Sequence, residues 1–364
     1  MTHSLARFIP PHCPRSHCRF HRCATGWRWK RFGSFTRQCE PRIIPRFRCL
    51  HCQATFSSQT FSTTYYLKRP GLLEAIAHRI VACSGYRQIA REARCSPTTV
   101  MGQVARLGRH ALLLLHELRP KGKITESVAV DGFESFAYSQ YHPLHLNLVV
   151  GSGSHFSYGF THVRLRRKGT MTAGQRRRRA AIEEAHGRAE PKAIELGVAD
   201  LMQISAEPQE LTVLSDEHPA YPRAFRRLEG YTIHHECTPS VEARTPSNPL
   251  FPVNLVDLLL RHNSANHKRE TIAFSKRHQG VIERAAWLLV WRNFSKHFSE
   301  RSQDGTPAMR LGLTKTPWSV RKLLKGRRFV TRMELPRIWG EYYRREVDTP
   351  GIRNPRRHAL KLAM

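Results

Sequence analysis

The sequence predicts an α+β protein with more than one domain. Three observations support this prediction: cysteines concentrated in the first 52 residues, helical periodicity from about residue 70 to 118, and an ordered succession of strand and helix patterns from about residue 121 onward. A chain of 364 residues can hold two or three domains of roughly 100 to 200 residues each. We place the boundaries at 1–66, 67–120, 121–300 and 301–364.

The charge balance predicts a polyanionic partner. The chain has 60 Lys and Arg against 28 Asp and Glu, a formal charge of +32. Nucleic acid is the simplest partner for so basic a protein, and a membrane surface is the alternative. Apolar runs such as "HALLLLHEL" are too short to span a bilayer, so we expect no membrane association. The N-terminus lacks the apolar segment of a secretory signal, which predicts a cytoplasmic protein with reduced cysteines.

Two cysteine pairs in the first segment predict a zinc ribbon. Cys13 and Cys18 are separated by four residues in "CPRSHC", and Cys49 and Cys52 form "CLHC". The intervening "GWRWKRFGSFTR" has strand character, and four thiolates at such spacings hold one tetrahedral structural zinc. Four free thiols are the alternative. Other side chains could replace one of these ligands: Cys23, Cys39, His17 and His21.

The second segment predicts a helix-turn-helix. "GLLEAIAHRIVACSG" is helical, and "YRQIAREARC" gives a short helix followed by a turn. Ser96 as N-cap and Pro97 at the first position mark the start of a longer helix. An ordinary helical hairpin is the alternative, but the total charge favours DNA binding. The side chains expected in the DNA groove are Thr98, Thr99, Gln103 and Arg106.

The third segment has the element order of a ribonuclease-H-like fold. Three strand patterns ("SVAVDGFESFAY", "LHLNLVVGSG", "FSYGFTHVRL") precede a helical region, and two more ("LTVLS", "YTIHHECT") precede two helices between about Asn254 and Phe298. This order predicts a mixed sheet flanked by helices. The "RRRR" run begins the helical region. We expect Arg176 and Arg177 to contact DNA phosphates, with a solvated helix start as the alternative.

Two aspartates stand out in this arrangement. Asp131 lies in the first strand, in "VAVDGFE", and Asp216 ends the fourth strand, in "VLSDEHP". The first and fourth strands are neighbours in such a sheet, so the two carboxylates should converge. Converging carboxylates repel each other unless cations lie between them, and two Mg²⁺ ions are the common solution for phosphodiester chemistry. The sequence therefore predicts a site for Mg²⁺ or Mn²⁺.

Together, the motifs "VAVDGFESF", "VLSDEHPAY", "NHKRETIAFSKR", "WRNFSK" and "TPAMRLGL" resemble those of bacterial insertion-sequence transposases of the DDE class. The resemblance covers nearly the whole chain up to about residue 330. It implies binding to terminal inverted repeats, metal-dependent cleavage at transposon ends and strand transfer into target DNA. It also implies three carboxylate ligands, a homo-oligomer in the synaptic complex and a location at the bacterial nucleoid.

The third carboxylate departs from the family pattern. The family places an acid, usually Glu, on the helix that follows the fifth strand. Here Asp257 in "NLVD" has that place, and we expect it in the first turn of its helix. Glu283 in "GVIERAAW" has the usual residue type but comes one helix later. A DNA-binding regulator derived from a transposase, without catalysis, is the alternative function. The end of the chain, "GIRNPRRHALKLAM", is predicted to be a basic, poorly ordered tail.

Overall fold

A computed structural model describes residues 8–120, 122–268 and 270–358. The N-terminal part is a three-stranded antiparallel sheet of β1 (Trp29–Thr36), β2 (Ile43–Cys49) and β3 (Thr55–Ser57). A small aromatic core lies beneath this sheet, and it includes Phe47, Phe56 and Phe61. Phe329, far along the chain, completes this core, so the N-terminal sheet is packed against the C-terminal segment.

Three helices follow: α1 (Gly71–Ile80), α2 (Tyr86–Glu92) and α3 (Pro97–Leu118). α3 begins where the sequence predicts, because the Ser96 hydroxyl accepts a hydrogen bond from the Thr99 N–H at 3.1 Å. Most apolar side chains of α3 are buried, since the helix packs along a later helix of the chain.

A five-stranded mixed sheet forms the centre of the molecule. Its strands are β4 (Val128–Phe136), β5 (Pro143–Gly151), β6 (Ser157–Arg164), β7 (Glu210–Ser215) and β8 (Thr232–Cys237). The spatial order is β6-β5-β4-β7-β8, with β4, β5 and β6 antiparallel and with β7 parallel to both β4 and β8. The predicted adjacency of the first and fourth strands of this sheet is confirmed.

Helices flank this sheet, as expected. They are α4 (Ala173–His186), α5 (Ala193–Ser205), α6 (Ala220–Phe225), α7 (Phe251–Asn263) and α8 (His278–Phe294). α5 packs against β5 and β6, while α7 packs against β4 and β5. α8 is buried along nearly its whole length and forms the contact with α3. None of the helices in the described part of the chain is long and apolar enough to cross a membrane.

The C-terminal segment contributes to the core. It contains α9 (Pro307–Arg310), α10 (Val320–Leu323) and α11 (Arg337–Arg344). The indole N–H of Trp339 donates to the Phe160 carbonyl at 3.0 Å, and the Tyr342 hydroxyl accepts from the His162 N–H at 2.7 Å. These buried aromatic residues belong to one hydrophobic core that runs from Leu73 to Tyr343. The segment from residue 301 onward therefore shares the hydrophobic core of the preceding residues.

The predicted tail is only partly described. The Asn354 side chain donates to the carbonyls of Arg345 and Val347, so the beginning of this stretch is hydrogen-bonded to the preceding chain. The prediction of poor order was wrong for this part, because the sequence pattern did not reveal these backbone contacts. Residues 359–364 lie outside the described residues.

Candidate functional site

Four cysteines converge in the N-terminal sheet. The Sγ atoms of Cys13 and Cys52 are 3.6 Å apart, and those of Cys18 and Cys49 are 4.0 Å apart. A tetrahedral ion with metal–sulfur bonds of about 2.3 Å requires sulfur–sulfur separations of about 3.8 Å. The four atoms all lie within 4.8 Å of one another. This geometry fits a structural zinc held by four thiolates.

The side chains considered as substitute ligands lie outside this group. The Cys39 thiol donates to the Leu67 carbonyl, and the Cys23 side chain is exposed to solvent. The His21 ring uses both nitrogens elsewhere, with the Cys13 carbonyl at 2.8 Å and the Thr331 hydroxyl at 2.7 Å. Like them, His17 is not part of the four-residue cluster.

The surroundings of the cysteines shift the pKa values of their thiols in different directions. Burial raises the pKa of both Cys13 and Cys18. Burial also acts to raise the pKa of Cys49, but N–H donors from Cys52 and from the Trp27 indole outweigh it and bring that pKa to about 7. A lowered thiol pKa favours the thiolate, which is the form that binds zinc.

The parallel pairing of β4 and β7 brings the two predicted aspartates to the same level of the sheet. Val128 pairs with Val213 and Ala129 with Leu214, so each partner lies 85 residues later in the chain. The same offset places Asp131 beside Asp216, which directly follows β7. The register of two buried strands therefore controls the convergence of these carboxylates.

Asp131 lies in a protected position. Its Oδ1 atom accepts hydrogen bonds from the Gly132 N–H at 2.6 Å and from the Tyr221 hydroxyl at 3.3 Å. Burial raises the pKa of Asp131 and the Asp216 carboxylate raises it further, while these hydrogen bonds oppose the change. The Oδ1 atom of the neighbouring Asp216 accepts a hydrogen bond from the His218 N–H at 2.9 Å.

Asp257 approaches the same site from α7. The helix begins at Phe251, three residues before the predicted start, so Asp257 is in the second turn and not the first. Its Oδ1 atom is buried and has no hydrogen-bond partner within the described part of the chain. Burial raises the pKa of Asp257 well above its usual value, and repulsion from Asp131 adds to this, although Arg261 and Arg244 act against it.

The three acids influence one another electrostatically. Asp131 interacts electrostatically with Asp216 and with Asp257, and the pKa of Tyr221 is raised by burial and by all three acids. Among the described residues, the cysteine quartet is the only group of three or more candidate ligands within 4.8 Å of one another, so the acids are more widely spaced. None of the three forms a salt bridge in the described part of the chain.

Glu283, the other candidate for the third acid, lies elsewhere. It is 2% exposed on α8, and its Oε1 atom accepts from the Arg345 Nε at 2.7 Å and from the Gln279 amide at 3.2 Å. Its backbone and side chain lie against Gly108 of α3. Glu283 is thus a buried ion-pair partner between helices, and the structure does not bring it to Asp131 and Asp216.

Sequence reasoning missed two residues beside the acids. The Tyr221 hydroxyl donates to Asp131, and Tyr221 lies on α6, the short helix that begins four residues after Asp216. The His145 ring lies over Gly132, where an added Cβ would be 1.6 Å from a ring carbon. A glycine directly after Asp131 was the available signal, because it leaves room for a side chain from the neighbouring strand.

The residues predicted to read DNA differ in position. Thr98 is exposed at the start of α3, while Thr99 is half-buried and bonded to the Ser96 hydroxyl. The Oε1 atom of Gln103 is buried. The Arg106 guanidinium turns inward, donates to the Thr63 carbonyl at 3.0 Å and is largely buried, which lowers its pKa to about 10.

The "RRRR" run lies in the first half of α4. The helix is capped by Thr172 and has no buried side chain. Arg176 donates to the Met171 carbonyl at 2.7 Å, and Arg177 is exposed. This helix therefore presents a basic surface to solvent, in keeping with either phosphate contact or a solvated helix start.

No protein-family model matches the chain, and a search of curated proteins gave no significant match.

Proposed function

We propose that this protein is a metal-dependent DNA transposase of the DDE type with a ribonuclease-H-like catalytic domain. One observation carries the proposal: Asp131 on β4, Asp216 directly after β7 and Asp257 on α7 interact with one another, and none of them has a salt-bridge partner among the described residues of a protein of charge +32. Unpaired carboxylates that lose hydration cost several kcal/mol, so they are expected to hold cations. The strand order supports the domain assignment, as does the placement of the helices.

Two ions are the common arrangement for phosphodiester chemistry on paired carboxylates. Asp131, Asp216 and Asp257 would hold them, because Asp131 interacts electrostatically with both of the other acids. Oxygen ligands of this kind suit Mg²⁺ or Mn²⁺.

The residues around the acids have supporting tasks in this proposal. Bound Mg²⁺ or Mn²⁺ would activate the attacking oxygen and stabilise the leaving 3′ oxygen of the DNA. Tyr221 orients Asp131 through its hydroxyl, and the His145 ring closes the space above Gly132. Water or a DNA 3′ hydroxyl is the nucleophile, so no side chain has to form a covalent intermediate.

DNA recognition is assigned to the other parts of the chain. The zinc-ribbon sheet and the helices α1 to α3 would bind the terminal repeats as a helix-turn-helix unit, with Thr98 at the exposed start of α3. The inward position of Arg106 argues for a role in joining α3 to the ribbon. The exposed α4 helix, with Arg176 and Arg177, would contact phosphates.

The test is a cleavage and strand-transfer assay with Mg²⁺ or Mn²⁺ on DNA that carries the sequences flanking the gene. Asp131→Asn, Asp216→Asn and Asp257→Asn should each abolish cleavage while retaining DNA binding. Glu217→Gln is the matched control, because Glu217 directly follows Asp216 but its carboxylate accepts from the Ser240 N–H. Wild-type protein that binds these ends and never cuts them with either metal would refute the enzyme and leave a DNA-binding regulator.

A further inference from the structure

A basic groove lies between the zinc-ribbon sheet and the C-terminal segment. It has a volume of about 880 Å³. It is bounded by residues 14–16, by parts of β1 to β3 with residues 37–39, by residues 59–60 and 65–68, and by residues 327 and 329–331. None of the residues that line it belongs to the acidic cluster. The groove is therefore a second site, separate from the proposed catalytic centre.

The described lining of the groove contains cations but no acids. The positively charged residues that line it are Arg15, Arg37, Arg46, Lys68 and Arg327. No Asp or Glu is among the described lining residues, although the chain has 28 of them. A concave surface with charges of one sign concentrates the field and attracts an anion.

Arg327 is a largely buried cation whose charge a bound anion would neutralise. Its guanidinium is largely buried and lies over the rings of Phe329 and Tyr65, at 4.4 and 5.3 Å from their centroids. One Nη donates to the Thr60 carbonyl at 3.0 Å, and the Nε has no hydrogen-bond partner among the described residues. No salt bridge of the described residues includes it. Burial lowers the pKa of Arg327 to about 10, which reflects the cost of holding this cation away from water without a carboxylate.

Two exposed aromatic rings line the same groove. Phe35 on β1 is 43% exposed and Tyr66 is 69% exposed. Tyr66 has a φ of 61°, a left-handed conformation that is strained for a tyrosine. Strain of this kind concentrates at binding sites, where the surrounding structure holds the residue in place.

We infer that this groove binds single-stranded nucleic acid, with the cations on the phosphates and with Phe35 and Tyr66 stacked on unpaired bases. Basic residues combined with exposed aromatic rings are typical of single-strand sites. An unpaired strand exposes its base faces to such rings, whereas the bases of a duplex are stacked within it. This inference does not depend on the proposed reaction.

The test measures fluorescence anisotropy of labelled oligo-dT, oligo-U and a duplex, each of about ten units, a length within the usual range of single-strand sites. The buffer contains no added Mg²⁺ or Mn²⁺, so DNA cleavage cannot affect the result. The Phe35→Ala, Tyr66→Ala double variant should bind the single strands about tenfold or more weakly and the duplex almost as wild type. Tyr138→Ala is the matched control, since Tyr138 is also exposed, at 47%, and has a φ of 62° outside the groove.

A second pair of substitutions tests the phosphate contacts. Arg15→Ala with Lys68→Ala should lower the salt dependence of single-strand binding by about 1.4 in the slope of log K against log salt, because each lost phosphate contact removes about 0.7. Tighter binding of oligo-dT by the wild type would identify single-stranded DNA as the ligand, and tighter binding of oligo-U would identify RNA. Unchanged single-strand binding in the aromatic double variant, or equal losses for single strand and duplex, would overturn the inference.

Discussion

Glu283→Gln separates a structural role of this residue from a role in metal binding. Glu283 is buried on α8 and pairs with Arg345, which is 8% exposed, at 2.7 Å. The substitution retains the shape of the side chain and an oxygen acceptor but removes the negative charge. The positive charge of Arg345 then stays buried without a counter-charge.

The cost follows from that burial. Breaking a buried ion pair costs about 3 to 5 kcal/mol, and the retained acceptor in Gln places the expected loss near 3 kcal/mol. For 364 residues the entropy of unfolding is about 0.76 kcal/mol/K, so each kcal/mol lowers Tm by about 1.3 °C. We therefore expect Glu283→Gln to lower Tm by about 4 °C.

Thermal unfolding with and without Mg²⁺ is the assay. Glu283→Gln should lower Tm equally in both conditions and retain any stabilisation by Mg²⁺. Asp257→Asn is the comparison, since Asp257 is repelled by Asp131 in the metal-free protein. Its Tm without metal should equal or exceed that of wild type, and its stabilisation by Mg²⁺ should disappear. A Glu283→Gln protein that melts like wild type and no longer responds to Mg²⁺ would refute this reasoning.

Three further predictions concern stability. Cys49→Ser should release the bound zinc, measured by a colorimetric chelator, and should unfold the N-terminal sheet, detected by increased proteolysis; intact folding without zinc would contradict the structural role. Gly108→Ala should lower the free energy of unfolding by about 1 to 3 kcal/mol, since its Cβ would lie 2.6 Å from Glu283, whereas Gly102→Ala on the same helix meets nothing within 4 Å and should stabilise by up to about 1 kcal/mol. Burial lowers the pKa of His110 to about 4, so the unfolded chain binds more protons between pH 6.5 and 4 and stability falls as pH falls through that range. His110→Gln should reduce this slope by up to about 1.4 kcal/mol per pH unit, measured by denaturant titration at several pH values.

Local patterns were enough for several features. The cysteine spacings identified the four residues that converge, because ligand pairs close in sequence are brought together by a single turn each. Ser96 and Pro97 located the start of α3, since capping depends on neighbouring residues only. The order of strands and helices indicated the mixed sheet and with it the meeting of Asp131 and Asp216.

Short-range geometry and the periodicity of apolar residues therefore account for what could be read from the sequence alone. Tertiary packing places Asp257 on the helix that covers β4 and β5 and buries Glu283 against Arg345, because these positions depend on which helix faces the sheet. The inward turn of Arg106 and the anchoring of α11 were likewise settled by packing. The basic groove joins segments more than 300 residues apart in the chain, and no local pattern encodes their contact, because it forms only when the hydrophobic surfaces of both segments are buried together.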